Sequence, residues 1–340
     1  MKIALPYNTA LGKYQTNVVK GGIEKFCHQI VNTFDVEIIN IDNNDPIKEN
    51  VRRTKEFAKD INADIIITNW IQASFIGAKI VDSETPIMFV NHGCSGLLST
   101  LGSMIRLNNN CHSVYMVGKW QHDFYKRMAK RVNAENEFLV EGYINSSYAE
   151  GEKPKLLPIE YDVCTIGRCV QLDKNPFLLK NWLKDWDYNS LVMSNTPTKE
   201  KDIKYMNKNS HWDGVLWDLK HTDVMSNLSK SKYYFSTMNV ETFGITALES
   251  LSHGVPIILR SNDGTHASTD LCADESYYNT TANNIELKNV LDSPYNFDRK
   301  EIQDATWEKH SYKNWKKSFS NAIDKTVEKF KNRNLSAFIT

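Results

Sequence analysis

Two glutamates, Glu241 and Glu249, flank a turn that contains Gly244. Apolar residues at helical spacing follow the glycine, so the pattern predicts a helix that begins near it. The first backbone N–H groups of such a helix have no partner within it and can bind an anion. Carboxylates repel an anion but accept hydrogen bonds from hydroxyl groups. The stretch 241–249 thus predicts a diphosphate site whose two acids face sugar hydroxyls; the alternative is a solvated helix with two surface glutamates.

The residues around this stretch predict the elements that position it. A β-rich run, 232–238, precedes the stretch, and Gly254 and Pro256 follow its helical residues. Glycine adopts the left-handed conformation that ends many helices, and proline cannot continue a helix. The apolar run 256–260 is typical of a buried parallel strand. A strand, a glycine turn and a helix N-terminus therefore follow one another in the order that an anion site requires.

Two cations follow another predicted strand, which covers residues 161–167. Arg168 comes directly after this strand, and Lys174 lies six residues further on. Arginine can bind a phosphate through two parallel hydrogen bonds, and lysine acts on it as a point charge. The pair predicts phosphate ligands at the carboxyl end of that strand.

Together these segments resemble the donor-binding half of the retaining glycosyltransferases of the GT-B fold, in particular family four. The motif is Glu-x7-Glu with Phe-Gly inside it and His-Gly-x-Pro after it, preceded along the chain by Gly-Arg…Lys. The resemblance implies that Glu241 contacts the transferred sugar and Glu249 the nucleotide ribose. It also implies that Arg168 and Lys174 hold the donor diphosphate. The further donor-binding residues predicted from it are Phe243, Gly244 and Ile245.

In the first half of the chain, a glycine pair and a histidine carry the resemblance. Gly21 and Gly22 open the first long helix, where the missing side chains let backbone approach an anion or a sugar. They resemble the Gly-Gly-x-Glu segment that faces the donor diphosphate in GT-B enzymes, although most glycine pairs simply form a turn. His92 follows the predicted strand 86–90 and resembles the family-four histidine beside the transferred sugar. A lone histidine is otherwise more often a structural residue.

Short apolar runs alternate with helical stretches in the first half of the chain. This alternation predicts an α/β fold with a doubly wound parallel sheet, whose ligands bind beyond the carboxyl ends of the strands. The resemblance implies the complete GT-B fold, in which two Rossmann-like domains face each other across a cleft. The runs are predicted strands near 2–5, 36–39, 64–68, 86–90 and 113–117, and predicted helices over 24–34, 52–61 and 121–132.

The composition of the middle of the chain predicts a domain boundary. Residues 148–158 are polar, with one glycine and two prolines, as is typical of a linker. We therefore expect one domain over 1–150 and another over 151–310, and the resemblance implies that the first binds the acceptor and the second the nucleotide-sugar donor. A basic helix is predicted over 308–331, and the resemblance implies that residues 311–340 pack back on the N-terminal domain.

The overall composition argues against several classes of protein. The 340 residues include 41 basic and 41 acidic side chains, so no net charge attracts nucleic acid or membrane. No apolar run is long enough for a transmembrane helix, and the six cysteines lack metal-binding spacing. We expect a cytoplasmic protein with no transmembrane segment. The resemblance implies a nucleoside-diphosphate sugar, preferably a UDP-sugar, as co-substrate and no essential metal or other cofactor.

The acceptor is left open by these patterns. The segment 102–131 has six basic residues and one acid, which predicts either a solvated helix face or a positive surface for a polyanion or an anionic membrane. Its size and composition make the chain similar to the bacteriophage GT-B enzymes that glycosylate hydroxymethylated cytosine in double-stranded DNA, and this acceptor is preferred. A bacterial glycan or lipid-linked sugar is the alternative. A sugar-nucleotide epimerase and a non-catalytic nucleotide-sugar-binding protein are the candidates from other classes.

Overall fold

The chain divides into two compact units. The first unit consists of Met1–Ser147 and Tyr312–Thr340, and the second of Tyr148–Ser311. The first unit is therefore formed by two separate parts of the sequence. The computed structural model describes residues 1–8, 22–41, 45–68, 84–92, 111–134, 140–167, 175–208, 214–238, 241, 243–260 and 267–337.

The first unit contains a six-stranded sheet in which neighbouring strands are parallel. Its strands are β1 (Lys2–Asn8), β2 (Asp35–Ile41), β3 (Ile65–Thr68), β4 (Ile87–Asn91), β5 (Ser113–Met116) and β6 (Gly142–Tyr143). Their order is β2-β1-β3-β4-β5-β6, so the order reverses between β1 and β3. Every residue of β3, β4 and β5 is buried. Burial on both faces explains why these strands are continuous apolar runs.

Helices from both parts of the sequence complete the first unit. The last helix contributes to the core through Phe319, whose ring lies 5.8 Å from that of Phe26 between centroids. Trp315 stacks on Phe319 at 5.2 Å, and the buried hydroxyls of Thr326 and Ser113 are hydrogen-bonded. These contacts hold the C-terminal helix in the first unit. The helices are α1 (Gly22–Thr33), α2 (Ile47–Asp60), α3 (Lys119–Arg131) and α10 (Tyr312–Ala337).

The second unit also contains a six-stranded parallel sheet. Its strands are β7 (Tyr161–Ile166), β8 (Ser190–Ser194), β9 (Val215–Trp217), β10 (Ser231–Ser236), β11 (Ile257–Arg260) and β12 (Tyr278–Thr281). Their order is β12-β11-β10-β7-β8-β9. The order reverses in the middle, between β7 and β10, as it does in a Rossmann-type sheet.

A core of aliphatic and aromatic side chains lies against this second sheet. Val163, Val192, Phe235 and Ile258, from four adjacent strands, are fully buried in it. None of the described helices of the chain is both long and apolar enough to cross a membrane. The helices of the second unit are α4 (Phe177–Leu183), α5 (Glu200–Lys208), α6 (His221–Ser229), α7 (Ile245–Ser252), α8 (Asn284–Asp292) and α9 (Arg299–Lys309).

The polar segment 148–158 belongs to the second unit and is not a free linker. The Ala149 N–H group donates to the His310 carbonyl at 2.9 Å. Arg299 donates to the Leu157 carbonyl at 2.8 Å. These bonds hold the segment against α9, and the units divide close to, but not at, the boundaries expected from composition.

The basic helix predicted over 308–331 is confirmed over 312–331, but its predicted start is wrong, because the chain breaks at His310 between α9 and α10. The His310 ring lies 2.8 Å from the Leu271 carbonyl oxygen through Nε2. Its own carbonyl accepts the bond from Ala149, so tertiary contacts interrupt the helical ladder. The strands and helices predicted in the first half of the chain are confirmed, with shifts only at their ends.

Candidate active site

The reversal of strand order in the second sheet marks the place where a ligand is expected. Ligands of doubly wound sheets bind at this point, beyond the carboxyl ends of the strands. Gly167 follows β7 there, and its carbonyl accepts a hydrogen bond of 2.8 Å from the Ser194 hydroxyl. The neighbouring strand β10 leads to Glu241. Arg168 and Lys174 lie outside the described residues, so their predicted phosphate contacts stay predictions.

Gly244 forms the turn before α7. Its φ of 88° lies in the left-handed region, and a Cβ on it would lie 2.2 Å from the Ser268 hydroxyl oxygen. Both its conformation and its surroundings therefore require glycine. The N-cap residue is this glycine, so no N-cap side chain binds the N–H groups of the first turn, as an anion site at a helix N-terminus requires. The predicted helix start and the left-handed Gly254 after the helix, with φ 69°, are confirmed.

The two predicted acids lie near one buried tyrosine of β10. Burial, followed by the charges of Glu241, Cys164 and Glu249, raises the pKa of Tyr234. The Cγ atom of Glu241 also lies 3.4 Å from the place that a Cβ on Gly244 would take, so this acid lies beside the glycine turn. Glu241 is partly buried, and the Glu249 side chain is 15% exposed. The structure thus brings the acids and the glycine turn together, while their roles stay predictions.

The other two donor-site residues predicted beside this turn differ in exposure. Phe243 is almost fully buried, so its side chain anchors the turn in the core. Ile245, the first residue of α7, is partly exposed. The predicted contacts of Phe243 and Ile245 with the donor stay predictions.

Two histidines beside Glu249 were missed as site residues by sequence reasoning. His221, the first residue of α6, has Nε2 3.5 Å from Glu249 Oε1, and its side chain is 69% exposed. His253 has Nδ1 2.7 Å from the Glu249 carbonyl oxygen, and burial is the main cause of its lowered pKa. The sequence marks His253 only as part of a helix stop. No pattern in the sequence identifies His221 as a site residue, because its contact with Glu249 depends on the packing of α6 against α7.

Asp218 forms a third feature at this edge of the sheet that sequence reasoning missed. It follows β9 with φ 51°, a conformation that costs energy outside glycine and often occurs at functional sites. Its carboxylate accepts bonds from the Thr196 N–H group at 2.9 Å and from the Thr196 hydroxyl at 2.5 Å. These bonds lower its pKa. They also fix the ends of β8 and β9 relative to each other.

In the first unit, His92 follows β4 as predicted. Its ring packs edge-on against Phe26, with centroids 4.7 Å apart. Its Nε2 atom is buried and has no hydrogen-bond partner among the described residues. Burial lowers its pKa to about 3, so the ring is neutral at neutral pH. Gly22 begins α1, whereas Gly21 lies outside the described residues.

Groups that suggest metal or thiol chemistry lie elsewhere or are inert. Within the described ranges, no three His, Cys, Asp or Glu side chains form a group that could hold a metal ion. Asp185 and Asp187 form an Asp-x-Asp triplet, but they precede β8 and so lie at the opposite end of the strands from Glu241. Burial raises the pKa of the Cys111 and Cys164 thiols to about 12. That no metal takes part stays a prediction.

Helix α3 contains the described part of the basic segment. Tyr125 and Ala129 on its apolar face are fully buried in the core of the first unit. Lys119 is paired with Asp123 at 2.6 Å. Four further cations are exposed and form no ion pair with any described residue, which gives α3 a positive face. They are Lys126, Arg127, Lys130 and Arg131.

Comparison with known proteins finds similarity only in structure, since no family model and no curated protein matches the chain. HepE from Anabaena, solved in complex with UDP and glucose, is 13% identical, with a TM-score of 0.69 over 96% of this chain and 100% of that one. WaaB, a lipopolysaccharide outer core galactosyltransferase, is 15% identical, with a TM-score of 0.60 over 96% and 99%. A chain of the GtfA/B complex is 9% identical, with a TM-score of 0.58 over 82% of this chain but only 61% of that one. Two parallel six-stranded sheets and these neighbours show that the chain has the GT-B fold of two Rossmann-like α/β domains.

Proposed function

We propose that the chain is a glycosyltransferase that uses a nucleoside-diphosphate sugar. The observation that carries this proposal is that Glu241 lies beside the turn at Gly244 and Glu249 lies in the helix that this turn begins, next to the reversal point of the second sheet. The N-terminus of α7 can bind a diphosphate there. The two carboxylates can accept hydrogen bonds from the sugar on one side and the ribose on the other. The GT-B fold supports the proposal.

The donor is proposed to be a UDP-sugar, and transfer is proposed to retain the anomeric configuration. The neighbour HepE was solved with UDP and glucose, which supports uridine as the nucleoside. Retention rests on the resemblance of the Glu-x7-Glu segment to family four.

In the proposed reaction, the bond between the sugar anomeric carbon and the diphosphate oxygen breaks, and a bond from that carbon to the acceptor oxygen forms. Negative charge develops on the leaving diphosphate, where the positive end of the α7 dipole stabilises it. Arg168 and Lys174 are proposed to add their charges to this effect. The acceptor proton passes to the leaving phosphate, so no separate base is required. Glu241 holds the sugar hydroxyls, and Glu249 holds the ribose.

His92 is proposed to orient the transferred sugar, as the resemblance implies. Its pKa of about 3 means that the ring would act as a neutral hydrogen-bonding partner. Replacement of His92 by Ala should therefore lower kcat by a factor that is constant between pH 6 and pH 8. A factor that changes steeply across this range would contradict the neutral role.

The acceptor is proposed to be hydroxymethylated cytosine in double-stranded DNA. The exposed cations of α3 support a polyanionic acceptor, because each phosphate contact adds a salt-dependent gain in affinity. A glycan or lipid-linked sugar is the alternative, which the name of WaaB favours. Acceptor binding that weakens steeply with salt supports DNA, and binding that is indifferent to salt supports a neutral glycan.

One experiment separates these functions. The protein is incubated with a panel of nucleotide sugars, each with hydroxymethylated DNA, plain DNA, a glycan acceptor or no acceptor, and product masses are measured. A sugar-sized increase on an acceptor supports transfer. A changed sugar nucleotide without acceptor would identify an epimerase, and binding without any product would identify a binding protein.

Single replacement of Glu241, Arg168 and Lys174 by Ala tests the assignment of residues. We expect each variant to lose transfer by at least about 100-fold, since loss of one group that stabilises transition-state charge typically costs that much. If all three keep full transfer, the assignment is wrong.

A further inference from the structure

The strongest additional feature beside the proposed site is the pairing of an exposed histidine with a largely buried acid. His221 Nε2 lies 3.5 Å from Glu249 Oε1. This distance is at the outer limit of a hydrogen bond, and such contacts often tighten only when the ligand is bound. The Glu249 side chain is 15% exposed, whereas that of His221 is 69% exposed. The imidazole therefore stands on the solvent side of the carboxylate, where a bound nucleoside would lie.

The surroundings of the pair fix the backbone of both partners. The Glu249 carbonyl is bound by the His253 ring at 2.7 Å. At the other end of the pair, His221 begins α6, with Lys220 before it and Asp223 in the first turn. The contact does not require a charged imidazole, because a neutral ring with the proton on Nε2 can donate to Glu249.

We propose that His221 is a positioning residue of the donor site, which holds one carboxylate oxygen of Glu249 so that the other faces the ribose hydroxyls. This inference rests on the proposed function and on the ribose-binding role of Glu249. A carboxylate that is held in one rotamer loses less conformational freedom when it binds the ribose. His221 therefore contributes to nucleotide affinity only when the nucleotide carries the hydroxyls that Glu249 binds.

The test measures the binding of UDP and of 2′,3′-dideoxy-UDP to the full-length protein by calorimetry. Replacement of His221 by Ala should weaken UDP about five- to tenfold, the loss expected for one hydrogen bond of about 1 kcal/mol. The same variant should bind dideoxy-UDP within twofold of the unmodified protein. His221→Gln, which keeps an N–H donor close to the Nε2 position, should restore most of the UDP affinity.

A second histidine–acid pair supplies the matched control. His122 Nδ1 lies 3.0 Å from Asp123 Oδ1 in the first unit, and His122→Ala should leave both affinities unchanged. Equal losses for both nucleotides in His221→Ala, or no loss for UDP, would overturn the proposed role of His221 while UDP binding itself stands. If the unmodified protein binds neither nucleotide, the UDP donor is wrong and the inference falls with it.

Discussion

Gly244 has no room for a side chain, and this makes the turn beside the candidate site sensitive to a single methyl group. Replacement by Ala should cost roughly 1–2 kcal/mol for its left-handed conformation and roughly 1–3 kcal/mol more for the contact with Ser268. Gly151 is the matched control, because its φ is 83° but a Cβ on it meets nothing within 4 Å. Gly151→Ala should therefore lose only the roughly 1–2 kcal/mol of unfolding free energy that the left-handed conformation costs, as measured by urea unfolding. Equal losses in the two variants would contradict the steric role of Ser268.

The stability of the second unit should depend on pH through the protonation of His310. Burial is the main cause of its lowered pKa, about 4, whereas an unfolded histidine has a pKa of about 6.5. The unfolded chain thus binds the proton first, so stability is lost as the pH falls below about 6.5. Between pH 7 and pH 5, the original protein should lose about 2 kcal/mol more unfolding free energy than His310→Gln, which keeps an N–H donor toward Leu271. Parallel curves for the two proteins would show that His310 does not contribute.

Among single residues, the sequence identifies those site residues that belong to one local motif. Glu241, Gly244 and Glu249 lie within one turn and helix, so their spacing determines their proximity. His221 and Ser268 reach the same place from other elements, through α6 and a 3-10 helix. Their proximity depends on tertiary packing, which no spacing in the sequence reports.

Helix α9 is hydrogen-bonded to the ends of α6 and α7, the two helices that contain His221 and Glu249. Its first residue, Arg299, donates to the carbonyls of His253 and Gly254 after α7 and of Ser229 at the end of α6. A cation at helix C-termini also interacts favourably with both dipoles. Arg299→Ala should destabilise the second unit by about 3 kcal/mol, since one hydrogen bond to a charged group contributes roughly 1.5–3 kcal/mol.

Lys300 provides the control for this prediction. It is the next residue of α9, is exposed and pairs with Asp304 at 2.6 Å. Exposed ion pairs contribute roughly 0–1 kcal/mol, so Lys300→Ala should change the urea midpoint only slightly. A comparable loss in both variants would mean that Arg299 acts as an ordinary surface cation.

The helices and strands could be predicted where a single sequence pattern, such as an apolar run, extends along the whole element. β3, β4 and β5 are buried on both faces and were found as apolar runs. The break at His310 was not predictable, because the residues on both sides of it favour a helix and only contacts with Ala149 and Leu271 interrupt it.

At the scale of the molecule, the division into units predicts which fragments fold. The Ala149–His310 bond brings the ends of the second unit together, so residues 148–311 should fold alone and unfold cooperatively. Residues 1–147 lack the core residues Trp315 and Phe319, which are buried, and should not fold alone. Joining 1–147 to 312–340 through a short glycine-serine linker should restore folding, since Trp315 already donates to the Asn145 carbonyl at 2.9 Å. Circular dichroism melts of the three fragments check this, and cooperative melting of 1–147 alone would contradict it.

The two acids give the most direct test of the account, because each is assigned to a different part of the donor. Calorimetric titrations compare UDP and a UDP-sugar that gives product in the panel, with the original protein, Glu249→Gln and Glu241→Gln. Glu249→Gln should weaken both ligands by the same factor, about tenfold, which corresponds to about 1.4 kcal/mol. Glu241→Gln should leave UDP within twofold and reduce the affinity for the UDP-sugar alone. Unchanged binding of both ligands by both variants would contradict the placement of the donor at this turn.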